Sequence, residues 1–324
     1  ADLTNGALGD PTAHLGGSKG SHIVVDSPAL LAACGGREIF VENADGRIVL
    51  LHPMDGRVMI GTTDIPADPR EPARCTDEEV DYFLALAARV FPDVALTRDD
   101  IVHRFAGIRP LPATGGDDPG AVSRDYRVVR SDLPGAPGTP LLTVVGGKWT
   151  THRALGERVT DDVLRLLRRE RRASTAAVPV GGGRDMPCPD DVDAWVRAHL
   201  PDVEPARARV LLERYGTRAT AFASVDPTPL AHLPGYSRGE IARLASEEHV
   251  VRLADLALRR IGAAFRGDLT HEGLEELADI AAGVLGWERA RRRREAASTL
   301  EELADAHGAT WARAGDRGGR VRPA

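Results

Sequence analysis

Leu141-Leu142-Thr143-Val144-Val145-Gly146-Gly147-Lys148-Trp149-Thr150-Thr151-His152-Arg153 is an apolar run that stops at paired glycines and passes into a helical pattern. Leu141 to Val145 is short, apolar and β-branched at its end, which predicts a buried strand. Gly146 and Gly147 let the backbone approach a ligand or another segment closely. Thr150 and Thr151 offer N-cap hydroxyls. Beyond them Leu155, Val159, Val163, Leu166 and Leu167 recur on one helical face that ends among Arg165, Arg168 and Arg169. Free amides, the positive end of a helix dipole and Lys148 therefore converge on a spot suited to a phosphate, a carboxylate or the oxygen and nitrogen edge of a reduced flavin. Taken alone, the glycines are equally well explained as a plain strand-to-helix turn. A nucleotide P-loop does not fit: Trp149 follows Lys148 where Ser or Thr is needed, and no glycine stands five before Gly147.

The 324 residues allow two domains, and 42% hydrophobic with 28% charged residues describe an ordinary soluble protein with a sizeable core. The net charge of -6 argues against a nucleic-acid binder that neutralises phosphates over its whole surface. Cys34, Cys75 and Cys188 are far apart and show no C-x-x-C or Cys/His spacing, so neither a disulfide framework nor a zinc site is expected, and a reducing compartment is. No apolar run is long enough for a spanning helix and no signal peptide precedes Ala1, so any membrane contact is expected to be peripheral.

In chain order, Ala1 to Asp10 has a weak helical pattern, Gly16 to His22 reads as a glycine-rich loop, and Ile23-Val24-Val25 as a strand. Glu38 to Glu42, Arg47 to His52 and Arg57 to Gly61 are short β-rich segments separated by two Asp-Gly turns, which predicts an antiparallel meander with one ligand-facing side. Thr76-x-x-Glu79 forms a capping box for a structural helix that Pro92 ends. Ile101 to Phe105 leads as a strand to Gly107-Ile108-Arg109-Pro110-Leu111, and Ser123-Arg124-Asp125-Tyr126 opens the next, so two arginines sit at strand ends. Beyond Arg172 the pattern is almost wholly helical: Asp190 to His199, Glu204 to Gly216, Ser237 to Glu248, Val250 to Ile261, His271 to Leu285 and Trp287 to His307. The division is therefore placed at residues 1–172 and 173–309, with a disordered Gly/Arg-rich tail over 310–324.

Five motifs occur in order: Lys19-Gly20-Ser21-His22-Ile23-Val24-Val25, Ile60-Gly61-Thr62-Thr63-Asp64, Gly107-Ile108-Arg109-Pro110-Leu111, Ser123-Arg124-Asp125-Tyr126 and Gly146-Gly147-Lys148-Trp149-Thr150-Thr151. Together they resemble the FAD-dependent glycerol-3-phosphate dehydrogenase family, and Glu247 to Asp255 is similar to that family's C-terminal domain. The resemblance covers roughly residues 1 to 305. It implies an α+β fold: a mostly antiparallel substrate-domain sheet with part of a FAD-binding fold like that of D-amino-acid oxidase, then a C-terminal α-helical domain. Members of the family begin with a strand, a G-x-G-x-x-G turn and a helix that hold the ADP half of FAD, and this sequence holds no such unit. The chain is thus expected to correspond to the C-terminal part of a longer protein and to bind FAD weakly or not at all by itself. His152 stands where the family usually has Tyr.

The resemblance implies oxidation of sn-glycerol 3-phosphate to dihydroxyacetone phosphate, with hydride passing to FAD and then electrons to a quinone; an oxygen-using oxidase is the alternative acceptor chemistry. It also implies a cytoplasmic location, peripheral on the inner face of the cell membrane, and a homodimer. Arg109 and Arg124 are assigned to the substrate phosphate, since planar guanidinium groups bind it bidentately. His22 is assigned as the base that takes the hydroxyl proton, with a purely structural histidine as the counter-reading. Gly146, Gly147, Lys148, Trp149, Thr150 and Thr151 are assigned to the flavin's electron-rich edge. Thr62, Thr63 and Asp64 are read as pocket wall or as a mere strand end. Two rivals stay open: an amine or amino-acid oxidase, for which the arginines would clamp a carboxylate, and a non-catalytic fragment that serves as an interaction module.

Overall fold

Asp55 and Gly56 both adopt positive φ, 49° and 75°, and this mirror-image turn matches the right-handed twist of the strands it joins. It folds β4 (Arg57–Gly61) back on β3 (Ile48–Met54), and β3 pairs in turn with β2 (Ile39–Glu42), giving the meander expected from the two Asp-Gly turns. β1 (Ser18–Val25) lies antiparallel to β4, and the short β5 (Ile65–Pro66) pairs with the start of β1. The long β6 (Ile101–Arg109) also pairs antiparallel with β1, along most of its length. The computed structural model describes residues 1–113, 122–123 and 125–312, and among them these six strands form one sheet.

Side chains alternate across β1. Ile23 and Val25 point with Val49, Leu51, Val58 and Ile60 onto α2 (Pro28–Cys34) and α3 (Asp77–Val90), where Leu30, Val80, Phe83 and Leu86 complete a buried core. Each such side chain contributes about 1.5–3 kcal/mol of transfer free energy, so this layer commits the opposite face of β1 to carry Ser18, Gly20 and His22. α2 is a helix that hydrophobic periodicity alone did not reveal; its signals are local, with Ser27 capping the Leu30 amide, Pro28 at the first position and Gly35 closing it at φ 58°. At the start of α3 the capping box is formed as the sequence foretold: the Thr76 side chain accepts from the Glu79 amide and the Glu79 carboxylate from the Thr76 amide.

β7 (Arg127–Asp132) and β8 (Pro140–Val145) form a separate hairpin, tied to α1 (Asp2–Ala7) by the Asn5 amide group, which donates to the Thr143 hydroxyl at 3.0 Å. After β8 come the glycine turn, a 3₁₀ turn at Trp149–Thr151 and α4 (His152–Leu166). Three expectations are corrected here. β8 is not a buried strand: of its residues only Thr143 and Val145 are buried, and Val144 is exposed. Thr151 occupies the N-cap position, but its hydroxyl donates to the Lys148 carbonyl at 3.0 Å instead of capping a helix amide. α4 keeps its apolar stripe, yet no residue in it is buried.

The chain divides into units Ala1–Val178 and Pro179–Ala324, six residues later than composition placed the boundary. The described residues of the second unit are mainly helical: α5 (Val192–His199), α6 (Pro205–Tyr215), α7 (Ala219–Ala223), α8 (Arg238–Glu247), α9 (Leu253–Asp255) running into a π-helical turn at Leu256–Arg260, α10 (Ala263–Arg266), α11 (His271–Leu285) and α12 (Arg289–His307). Leu212, Ile241, Leu253, Leu256, Leu274 and Leu277 lie in its core. The buried Glu240 carboxylate is met by Arg207, Arg214 at 3.2 Å and Tyr215 at 2.9 Å, so its charge is paired. Residues 310–312 form a further 3₁₀ turn with Trp311 packed against this core, so the ordered part passes beyond 309; the remainder of the expected tail lies outside the described residues. No helix among the described residues is long and apolar enough to cross a membrane.

Replacing Thr76 with Ala removes the hydroxyl half of the α3 capping box and is expected to cost about 1 kcal/mol in urea unfolding followed by circular dichroism. An unchanged midpoint would show that the box contributes nothing to this helix.

Candidate active site

Strand register assembles the site. On the face of β1 away from α2 and α3, His22 stands opposite Phe105 of β6 and Gly61 of β4, and Ser18 stands opposite Arg109. The His22 ring stacks on Phe105 with centroids 4.8 Å apart and planes 5° apart. Sequence reading placed His22 on a loop; it lies inside the strand, because β6 pairs with β1 back to Ser18 and so carries the ladder through the glycine-rich stretch. Gly20 and Gly61 serve space rather than flexibility. A Cβ at Gly61 would sit 2.0 Å from His22 Cδ2, and one at Gly20 would sit 2.1 Å from an Arg109 terminal nitrogen.

The Arg109 guanidinium is held by the segment that leaves β4. Its Nη2 donates to the Thr62 hydroxyl at 2.9 Å and the Thr63 carbonyl at 3.1 Å, while Nη1 donates to the Asp64 carboxylate at 3.2 Å and to the Ser18 hydroxyl at 3.4 Å. Ser18 also donates to Asp64. Thr62, Thr63 and Asp64 are thus more than a strand end: they orient the arginine, and Asp64 offsets part of its charge.

Burial, and secondarily the Arg109 charge, push the His22 pKa down from 6.5 to about 4. The ring is therefore neutral at pH 7 with a nitrogen lone pair to offer, and the same shift makes it a weaker base than an ordinary imidazole. Its Nδ1 is buried and has no hydrogen-bond partner among the described residues, which leaves a polar atom waiting on this face.

At the glycine turn Gly146 and Gly147 have φ of 75° and 103°, a conformation that disfavours any side chain. A Cβ on Gly146 would also lie 2.8 Å from the Asp125 carbonyl and 3.4 Å from the Pro112 ring, so the turn passes close to the chain three residues beyond Arg109. Lys148, Trp149 and Thr150 are exposed, Trp149 at 92%. The structure thus brings His22, Arg109, Thr62, Thr63 and Asp64 into one cluster and sets Gly146 to Thr151 apart as a second feature. Arg124 lies outside the described residues. Ser18, Phe105 and the spatial role of Gly20 and Gly61 escaped sequence reading; the period of two from Ser18 to His22 was the available signal. A hollow of about 650 Å³ between the β7–β8 hairpin and α4 is lined by Arg127, Arg130, Arg158 and Arg165 and includes none of the cluster residues. No group of three or more His, Cys, Asp or Glu placed to hold a metal occurs among the described residues.

Two family models match the chain. Residues 1–161 match the FAD dependent oxidoreductase family model and residues 173–292 the model for the C-terminal domain of alpha-glycerophosphate oxidase. The chain belongs to the FAD-dependent glycerol-3-phosphate dehydrogenase family. Among curated members it is 36% identical over 284 residues to the glycerol-3-phosphate dehydrogenase of Synechocystis sp., covering 84% of this chain and 50% of that one. It is 32% identical over 252 residues to the D-erythritol 1-phosphate dehydrogenase of Brucella abortus, covering 75% and 48%. The chain spans about half the length of the curated relatives it matches. The crystal structure of the Bacillus halodurans glycerol-3-phosphate dehydrogenase complexed with FAD superposes with a TM-score of 0.72 at 26% identity, covering 90% of this chain and 57% of that one. This family likeness bears out the expected α+β fold with its helical C-terminal region.

The unfolded chain protonates His22 near pH 6.5 and the folded one near 4, so the stability that the neutral ring contributes is full above 6.5 and is lost as pH falls towards 4. In an NMR titration the His22 ring is expected to change near pH 4. Arg109→Gln should move that midpoint upward by removing a nearby positive charge, with burial still keeping it below 6.5. A His22 midpoint near 6.5 in the unsubstituted protein would place the ring in water.

Proposed function

We propose that this chain carries the substrate-oxidising face of a FAD-dependent dehydrogenase that converts sn-glycerol 3-phosphate to dihydroxyacetone phosphate. The observation that carries the reading is the neutral His22 set on the same sheet face as a fully oriented Arg109. Arg109, with Arg124 as its assigned companion, binds the phosphate dianion through charge-assisted hydrogen bonds. Thr62, Thr63, Ser18 and Asp64 already accept from both terminal nitrogens, so the phosphate takes the place of one or more of these acceptors on a side chain that is already positioned, and little side-chain entropy is lost. His22 then takes the proton of the hydroxyl being oxidised, and its location in a strand keeps the ring where that hydroxyl is presented.

The residues at the second feature fit a flavin. Gly146 and Gly147 leave the backbone bare, and the exposed Lys148 stands at the entry to α4, so Gly146, Gly147, Lys148, Trp149, Thr150 and Thr151 would hold the electron-rich edge of FAD. Bound FAD supplies the hydride acceptor. A quinone as final acceptor, a cytoplasmic protein seated peripherally on the inner face of the membrane, and a homodimer belong to the same proposal and rest on family resemblance alone. The Brucella relative motivates one variant reading, in which a longer polyol phosphate is the substrate. Two relatives named for phosphate esters support that class over an amino acid, which two arginines alone would fit as well.

The test is dye reduction by the purified protein with FAD supplied at a concentration high enough to load a weak site, offered glycerol 3-phosphate, erythritol 1-phosphate, unphosphorylated glycerol and an amino acid. A phosphate ester is expected to be oxidised. Arg109→Gln should lower kcat/KM about ten- to a hundred-fold, the equivalent of roughly 1.5–3 kcal/mol in a charged hydrogen bond, and inorganic phosphate should inhibit the parent more than the variant. Oxidation of the amino acid, or equal inhibition of both proteins by phosphate, would remove Arg109 from a phosphate site.

A further inference from the structure

Glu79 lies on the α3 side of the sheet, across the strands from His22, and only 3% of it is exposed. As the third residue of α3 it closes the capping box, accepting from the Thr76 amide at 2.9 Å through Oε2. A cap asks no more of it, and a carboxylate is costly to bury for that purpose alone. Its other contacts run towards the site. Oε2 also accepts from Lys19 Nζ at 2.7 Å, and Oε1 accepts from the Thr63 hydroxyl at 2.7 Å. These donors and the Thr76 amide outweigh the burial that pushes the carboxyl upward, so its pKa falls below the ordinary value and the group is charged at neutral pH.

The Thr63 hydroxyl has a second task that explains the geometry. β4 pairs with β1 over His22 to Val25, and β5 pairs with Ser18 and Lys19. Gly20 and Ser21 fall between the two registers, and the Ser21 amide is taken up by the Thr63 hydroxyl at 3.0 Å. In that gap the chain leaves the ladder for three residues, Thr62 to Asp64, and all three turn an oxygen towards Arg109. The inner anchor of the excursion is the Thr63 side chain, fixed between the Ser21 amide and Glu79.

We propose that Glu79 is a positioning residue for Arg109, acting through Thr63: it holds the Thr62–Asp64 excursion in the shape that aims the guanidinium across Gly20. The inference deepens the reading of Arg109 as the phosphate clamp and rests on it. It joins three elements, the α3 N-terminus, β1 through Lys19 and Ser21, and the β4–β5 connection, in one buried carboxylate.

Two readouts on the full chain test it: the affinity for inorganic phosphate by calorimetry, and the His22 midpoint by NMR titration, which reports how close Arg109 stays. Thr63→Val, which changes no charge, and Glu79→Ala are each expected to weaken phosphate binding roughly ten-fold and to raise the His22 midpoint. Glu79→Gln keeps one oxygen for Thr63 and should retain most of both. Thr76→Ala, which weakens the same helix cap without touching Thr63, should lose stability and leave both readouts unchanged. The proposal is overturned if Thr63→Val and Glu79→Ala match the parent, or if Thr76→Ala shifts both readouts as they do. Should Glu79→Ala fail to fold, Thr63→Val decides alone. If Arg109→Gln binds phosphate as the parent does, the clamp reading is the one that fails, and the His22 midpoints still judge whether Glu79 places Arg109.

Discussion

At Gly20 and Gly61 one added carbon would lie 2.1 Å from Arg109 and 2.0 Å from His22, so both polar side chains occupy room that any other residue at those two positions would fill. The rest of the site follows from that vacancy. Flanking strands are about 4.8 Å apart, and a long side chain can lie flat over a neighbour only where that neighbour has no side chain of its own. Gly20 and Gly61 lie on the two strands that flank or bear His22, which lets an imidazole and a guanidinium share one sheet face within electrostatic reach. The nearby cation then helps to keep the ring neutral, and the neutral ring in turn adds no repulsion against the arginine.

The two faces of the sheet divide the energetic work. One face buries Ile23, Val25, Leu51, Val58 and Ile60 on Phe83 and its neighbours, and this apolar area, not the polar contacts, holds β1 in register. The other can then carry groups that do not favour folding: a desolvated histidine and a guanidinium whose pairing with Asp64 is about a quarter or less exposed. Glu79 is the point where the faces are linked, since it caps a helix of the packed layer and hydrogen-bonds the threonine that shapes the open one. The helical unit relies on a comparable device, the Glu240 carboxylate collecting Arg207, Arg214 and Tyr215, but there the paired charges sit beside an apolar core with no open sheet face.

Local signals in the sequence were enough for the elements whose causes are local. Asp55-Gly56 specified the turn between β3 and β4, Thr76 and Glu79 the start of α3, and 3.6-residue periodicity the main helices after residue 190, because each depends on residues a few positions apart. The ordered motifs were legible for the same reason, and they pointed to the right family and to most members of the cluster. Tertiary structure decided what those members do to one another. His22 was read as a loop residue because its strand is defined by pairing with β6, whose partner for Ser18 is Arg109, 91 positions away. Register of that range leaves no trace in local periodicity, and a shift of one residue would have sent His22 to the packed face. Phe105 beneath the imidazole, the lowered His22 pKa, the Asp64 partner of Arg109 and the second task of Glu79 all follow from that register, since burial and hydrogen bonding depend on which strands lie side by side.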